Sequence, residues 1–135
     1  DMAPMLFADS IQNGKTIRVF NNGDMLRDFT YVDDVVQGIT LLLAHAPDER
    51  AEHPFYQIYN IGNSNPVKLM DFIQKLETAM RKQAVLKMLP MQPGDVLVTY
   101  ADTTKLMHDT GYKPITKLGE GITQFIQWYT CYTKS

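Results

Sequence analysis

The spacing of apolar residues changes several times along the chain, and each change marks an element. Met2, Met5, Leu6, Asp9 and Ser10 alternate at helical spacing until Asn13-Gly14 supplies a stop. The run TIRVF at residues 16–20 is β-branched and reads as a short strand, and NNGD after it is a turn that predicts a hairpin. Val35, Val36, Ile39, Leu42 and Leu43 then share one helical face. Thr30 and Asp33 in front of them have the spacing of a capping box. Asp33 and Asp34 fall in the first turn of that helix, where exposed N–H groups favour negative charge.

The polar stretch PDERAEHP, residues 47–54, predicts a mobile loop, and FYQIYNIG at 55–62 a strand ending at Gly62. Leu69, Phe72, Ile73, Leu76 and Met80 give an amphipathic helix, and AVLKML at 84–89 a further strand. Asp102 is placed to cap a short helix through Lys105, Leu106 and His108 that closes at Gly111. Leu118, Ile122, Phe125, Ile126 and Tyr129 line one face of a last helix. Mixed helices and short strands, without repeats or an internal linker, predict a small α/β or α+β layer structure in one domain, residues 1–135.

Composition adds exclusions. A length of 135 residues and 44% hydrophobic content suffice to bury a core. A net charge of -2 without a polybasic block argues against nucleic acid and anionic membranes as partners. The longest greasy stretch, Ile39 to Ala44, is too short to span a bilayer, and Cys131 is the single cysteine, so a reducing, cytoplasmic setting is expected. Residue 1 is an aspartate and the chain opens inside a helix, so a fragment of a longer protein is expected.

Few residues carry chemistry on their own. Arg27 either pairs structurally with Asp28 or presents its planar fork to a phosphate. Asp28, Asp33 and Asp34 raise the question of a divalent metal, but helix-start electrostatics accounts for two of them, and no metal is expected. In MQPGDVLVTYAD, residues 91–102, Pro93-Gly94 forces a turn that displays Gln92 beside Asp95, an amide and a carboxylate suited to sugar hydroxyls. The ordinary alternative is Asp95 bonding its own backbone. His45, His53 and His108 are scattered, and Trp128, Tyr129 and Tyr132 read as core and helix-surface aromatics. No glycine-rich phosphate loop and no Ser/His/Asp arrangement occurs, so no catalytic, cofactor-binding or metal residue is assigned.

Taken in order, RDFTYVDDVVQGI, YNIGNSNPVKLMDFIQKLE, MLPMQPGDVLVTYADTTKL, TGYKP and FIQWY resemble the C-terminal third of extended short-chain dehydrogenase/reductases. The nearest resemblance is to bacterial UDP-glucuronate 4-epimerases of the NAD-dependent epimerase/dehydratase family. It implies a small mixed substrate-binding subdomain, with the NAD-binding Rossmann domain absent from this chain. It also implies that Arg27 contacts the substrate diphosphate, that the backbone at Val19 and Phe20 meets uracil, and that Asp95 bonds the ribose hydroxyls. Gln92 stands where UDP-galactose-type epimerases carry arginine, which weakens a second phosphate contact there and favours the glucuronate branch.

The implied parent is a nucleotide-sugar 4-epimerase that binds NAD in its N-terminal domain. The GxxGxxG loop and the Tyr-xxx-Lys pair of that domain are missing from this sequence, so the chain alone is expected to be inactive. A dehydratase or decarboxylase of the same fold, or a non-catalytic binding relative, remains an alternative. Expected partners are a UDP-sugar, the missing Rossmann domain, and, through the apolar face that domain would cover, a second copy of the chain.

Overall fold

A computed structural model describes residues 3–45 and 56–133, which group into two compact units, each assembled from separate stretches of chain. The class is the mixed α/β one expected. The loop at 47–54 and His53 lie outside the described residues.

The first unit comprises Asp1–Arg27, Val67–Thr99 and Lys117–Ser135. It contains α1 (Ala3–Asn13), β1 (Thr16–Val19), a 3-10 turn (Phe20–Gly23) and β2 (Leu26–Arg27). β3 (Val67–Lys68), α3 (Leu69–Met80), β4 (Val85–Met88) and α5 (Leu118–Tyr132) complete it. The helical periods at 69–80 and 118–132 are read correctly from sequence, because each puts an unbroken apolar stripe on one side. Leu69, Phe72, Ile73 and Leu76 of α3 are buried, as are Ile122, Ile126 and Tyr129 of α5. Ala8 and Ile11 of α1 join them, with Phe7 and Phe72 rings 6.3 Å apart.

The expected hairpin after β1 does not form. Asn21 and Asn22 do take positive φ (48° and 50°), but β1 pairs in parallel with β4, Thr16 against Val85 through Val19 against Met88. A parallel pair needs a long crossover, and the chain supplies one containing α3. The chain leaving the turn instead forms β2, which pairs antiparallel with β3, while Leu26 also bridges to Val98.

The second unit comprises Asp28–Pro66 and Tyr100–Thr116, with α2 (Val32–Leu43) and α4 (Thr104–Thr110). The capping box is absent: Tyr31 precedes the helix and no side chain caps it. Nor does the predicted apolar face turn inward. Val36, Ile39 and Leu43 are 54%, 48% and 83% exposed, whereas Asp34 and Gly38 are buried. A Cβ at Gly38 would sit 3.2 Å from the Tyr112 ring and 3.3 Å from Ile61, so the glycine is what admits these neighbours. Asp34, 3% exposed, accepts the Ile115 and Thr116 N–H groups at 3.0 and 3.2 Å, a role that helix-start electrostatics does not predict.

Residues 56–62 join no ladder among the described residues, so the strand expected there is not seen. Side chains anchor the segment instead. The Tyr59 hydroxyl donates to Asp109 at 2.8 Å, and Asn60 donates to the Asp102 carbonyl at 3.2 Å. α4 ends at Gly111 as expected, with φ 72°, and Asp102 accepts the Thr104 N–H at 3.0 Å; the Thr104 side-chain hydrogen bond first, and this backbone one second, hold its carboxyl below the usual range. Asp109 is also held low, chiefly by the hydrogen bond from His108 and then by that from Tyr59. His45 lies just past α2, its ring Nδ1 2.8 Å from the Leu41 carbonyl oxygen.

Tyr112, 1% exposed, donates its hydroxyl to the Gly62 carbonyl at 3.0 Å. Burial raises its pKa, and the charges of Asp34 and Asp28 add to the effect. A raised phenol pKa means stability that is fully present below the ordinary phenol value, about 10, and is lost as pH rises through the folded value. Tyr112→Phe should therefore cost about 1 kcal/mol at neutral pH and flatten the alkaline loss. Thermal melts of both proteins across that range check this; parallel alkaline declines would count against it.

Candidate functional site

The first unit brings Arg27 and Asp95 together, 68 residues apart in sequence. β2 sits between β3 and residues 97–99: the Leu26 N–H donates to the Leu97 carbonyl at 2.8 Å, and Thr99 N–H to the Leu26 carbonyl at 3.1 Å. The loop before this bridge turns at Pro93-Gly94, where Gly94 has φ 84° and the Asp95 N–H donates to the Gln92 carbonyl at 3.2 Å. The sequence predicts a turn here, and proline in the second with a positive-φ glycine in the third position is the pattern of a type II turn. It aims the Asp95 carboxylate at the guanidinium of Arg27.

Arg27 is held on two edges. Its Nη1 donates to the Leu26 carbonyl at 2.9 Å and the Leu97 carbonyl at 3.2 Å. Its Nη2 donates to Asp95 Oδ1 at 3.2 Å and lies 3.7 Å from the Met25 sulfur. The side chains of the pair are 20% and 29% exposed, so the charges are partly desolvated yet reachable from solvent. Asp95 Oδ1 also accepts its neighbour's N–H, from Val96 at 3.0 Å, so the ordinary backbone role exists beside the ion pair.

The pairing of Arg27 with Asp28 that their adjacency suggests gives way to this one. Asp28 turns to main-chain donors of the second unit, accepting Ser64 N–H at 3.0 Å, Ala101 N–H at 3.2 Å and Asn65 N–H at 3.4 Å. Asp28 and Asp34 both serve main-chain amides, while Asp33 is exposed. No group of three metal-ligating side chains occurs among the described residues.

The remaining candidates are placed as follows. Val19 is fully buried, and its carbonyl accepts Leu89 N–H at 2.8 Å; Phe20, partly exposed, opens the 3-10 turn. Gln92 is exposed on the turn that carries Asp95. Trp128 and Tyr132 stack on the surface of α5, ring centroids 5.0 Å apart, while Tyr129 is buried. Sequence reasoning missed Leu97, whose carbonyl fixes the Arg27 fork; nothing in its side chain could have signalled a role played by its main chain.

Neither β1 nor β3 offers the entry into a helix that a dinucleotide uses. Dinucleotide binding needs a strand that enters a helix through a glycine-rich turn, so that main-chain N–H groups face the pyrophosphate. β3 runs straight into α3 through Lys68, and β1 leads into the 3-10 turn.

Residues 3–62 match the model of the NAD dependent epimerase/dehydratase family. The chain is 39% identical over 145 aligned positions to Protein CapI of Staphylococcus aureus, covering 99% of this chain and 43% of that protein. It is 39% identical over 142 positions to the "Probable UDP-glucuronate 4-epimerase" of Rhizobium meliloti, covering 96% of this chain and 41% of that one. Among solved structures, the UDP-glucuronic acid 4-epimerase from Bacillus cereus, in complex with UDP-glucuronic acid and NAD, superposes with a TM-score of 0.78 at 28% identity. That match covers 96% of this chain and 40% of the other. The chain thus spans about two-fifths of the length of these relatives.

Proposed function

We propose, for a chain that belongs to the NAD dependent epimerase/dehydratase family, that it is the UDP-sugar-binding portion of a nucleotide-sugar 4-epimerase acting on UDP-glucuronate and UDP-galacturonate. The observation that carries this reading is the juxtaposition of Arg27 and Asp95, an anion-gripping fork beside a carboxylate that can accept from hydroxyls. In it, Arg27 holds the diphosphate, Asp95 the ribose hydroxyls, and main chain near Phe20 the uracil edge, with Gln92 at the rim. Val19 contributes less, since its carbonyl is already engaged by Leu89.

The redox chemistry of such an enzyme belongs to NAD, which is assigned to an N-terminal portion preceding these residues. The exposed α2 stripe of Val32, Val36, Ile39 and Leu43 is the kind of surface that portion would cover.

Calorimetric titration of the 135-residue chain with UDP, UMP and uridine, beside an assay with UDP-glucuronate and NAD, tests this reading. UDP should bind at least about tenfold more tightly than UMP, consistent with about 1.5 kcal/mol for a charged hydrogen bond, and no turnover should occur. Equal affinities for UDP and UMP would remove the diphosphate role.

A further inference from the structure

Every N–H on the two terminal nitrogens of Arg27 has a neighbour. Nη1 serves the Leu26 and Leu97 carbonyls, and Nη2 faces Asp95 and the Met25 sulfur. These are four of the guanidinium's five N–H groups; the fifth sits on Nε, so a two-pronged grip on a phosphoryl group must still use at least one terminal nitrogen and displace a partner there. The carbonyls are fixed, because Leu26 and Leu97 are tied to each other by the main-chain bridge through Leu97 and Thr99. A thioether is a weak acceptor and competes poorly, which leaves Asp95 as the charged partner to be exchanged. The Asp95 carboxylate is part exposed and carried on an exposed turn, and besides Arg27 its Oδ1 accepts the adjacent Val96 N–H at 3.0 Å, a local contact that does not tie it to the guanidinium.

We propose that Asp95 is a specificity-determining residue that competes with the ligand for Arg27, making the site selective for molecules that carry a diphosphate and a vicinal diol together. This rests on the proposed UDP-sugar site and specifies how that site chooses. A bare diphosphate that takes Nη2 leaves the displaced carboxylate next to a second anion without its charged partner, which is costly in a partly desolvated setting. A nucleoside diphosphate replaces both partners at once: its phosphoryl oxygens take the fork, and its ribose hydroxyls donate to the released carboxylate. Affinity for the diphosphate and for the diol is therefore coupled through one side chain.

The experiment titrates inorganic pyrophosphate, UDP and 2′,3′-dideoxy-UDP into wild type, Asp95→Asn, Asp95→Ala, Arg27→Ala and the Arg27→Ala/Asp95→Ala double variant, with melts to confirm folding. Asp95→Ala should bind pyrophosphate about five- to tenfold more tightly than wild type, with the neutral but still accepting Asp95→Asn in between. Wild type should discriminate against dideoxy-UDP, and Asp95→Ala should not. In the Arg27→Ala background, Asp95→Ala should leave pyrophosphate affinity unchanged. Tightening that persists without Arg27 is general repulsion and overturns the competition. Unchanged pyrophosphate affinity in Asp95→Ala, with UDP binding still dependent on Arg27, overturns it as well while leaving the UDP-sugar reading intact. UDP affinity indifferent to Arg27→Ala removes both.

Discussion

Arg27→Ala should weaken UDP binding by about 1.5–3 kcal/mol, roughly 10- to 150-fold, the range for a hydrogen bond to a charged group. The same substitution should lower stability by no more than about 1 kcal/mol, because the Arg27–Asp95 pair is a fifth to a third exposed and water screens it. What stability is lost belongs to the 95–97 loop, since Arg27 also donates to the Leu97 carbonyl. Arg27→Lys keeps the charge but cannot span two carbonyls and a carboxylate in one plane, so it should recover only part of the affinity. Calorimetry with UDP beside thermal melts separates these contributions. UDP affinity unchanged in Arg27→Ala would defeat the assignment of this residue to the diphosphate.

The neighbouring residue should behave in the opposite way. Asp28→Ala strands the part-buried Ser64 and Ala101 N–H groups that its carboxylate accepts, while the exposed Asn65 N–H can turn to water, and should cost about 2 kcal/mol, the low end of about 1–3 kcal/mol for each unsatisfied group. The loss should concentrate in the second unit, because all three donors lie there. Hydrogen exchange should report early opening of residues 100–116 while α3 and α5 stay protected. The variant that remains folded should bind UDP nearly as wild type does. A large drop in UDP affinity with unchanged stability would reverse the roles of Arg27 and Asp28.

Much of this was legible beforehand where the physics is local. α3 and α5 follow from apolar stripes that a 3.6-residue period brings to one side, and the turn at Pro93-Gly94 follows from fixed φ at proline and the positive φ that glycine allows. The positive φ at Asn21 and Asn22 and the glycine stop at Gly111 are of the same kind. The motif series was also enough to point to the family that residues 3–62 match.

Tertiary structure decided what depends on distant partners. Whether β1 paired with the next strand or with β4 turned on a crossover of more than sixty residues, which no local preference encodes. The apolar stripe on α2 carries the pattern of a core face, yet Gly38 and Asp34 are what it buries, because burial is set by what stands opposite and not by the helix alone. Arg27 and Asp28 are adjacent and oppositely charged, a pairing any reading of the sequence would weigh. Only the folded chain sends one to Asp95 and the other to the amides of Ser64, Asn65 and Ala101, since hydrogen-bond geometry selects partners by position in space and not along the chain.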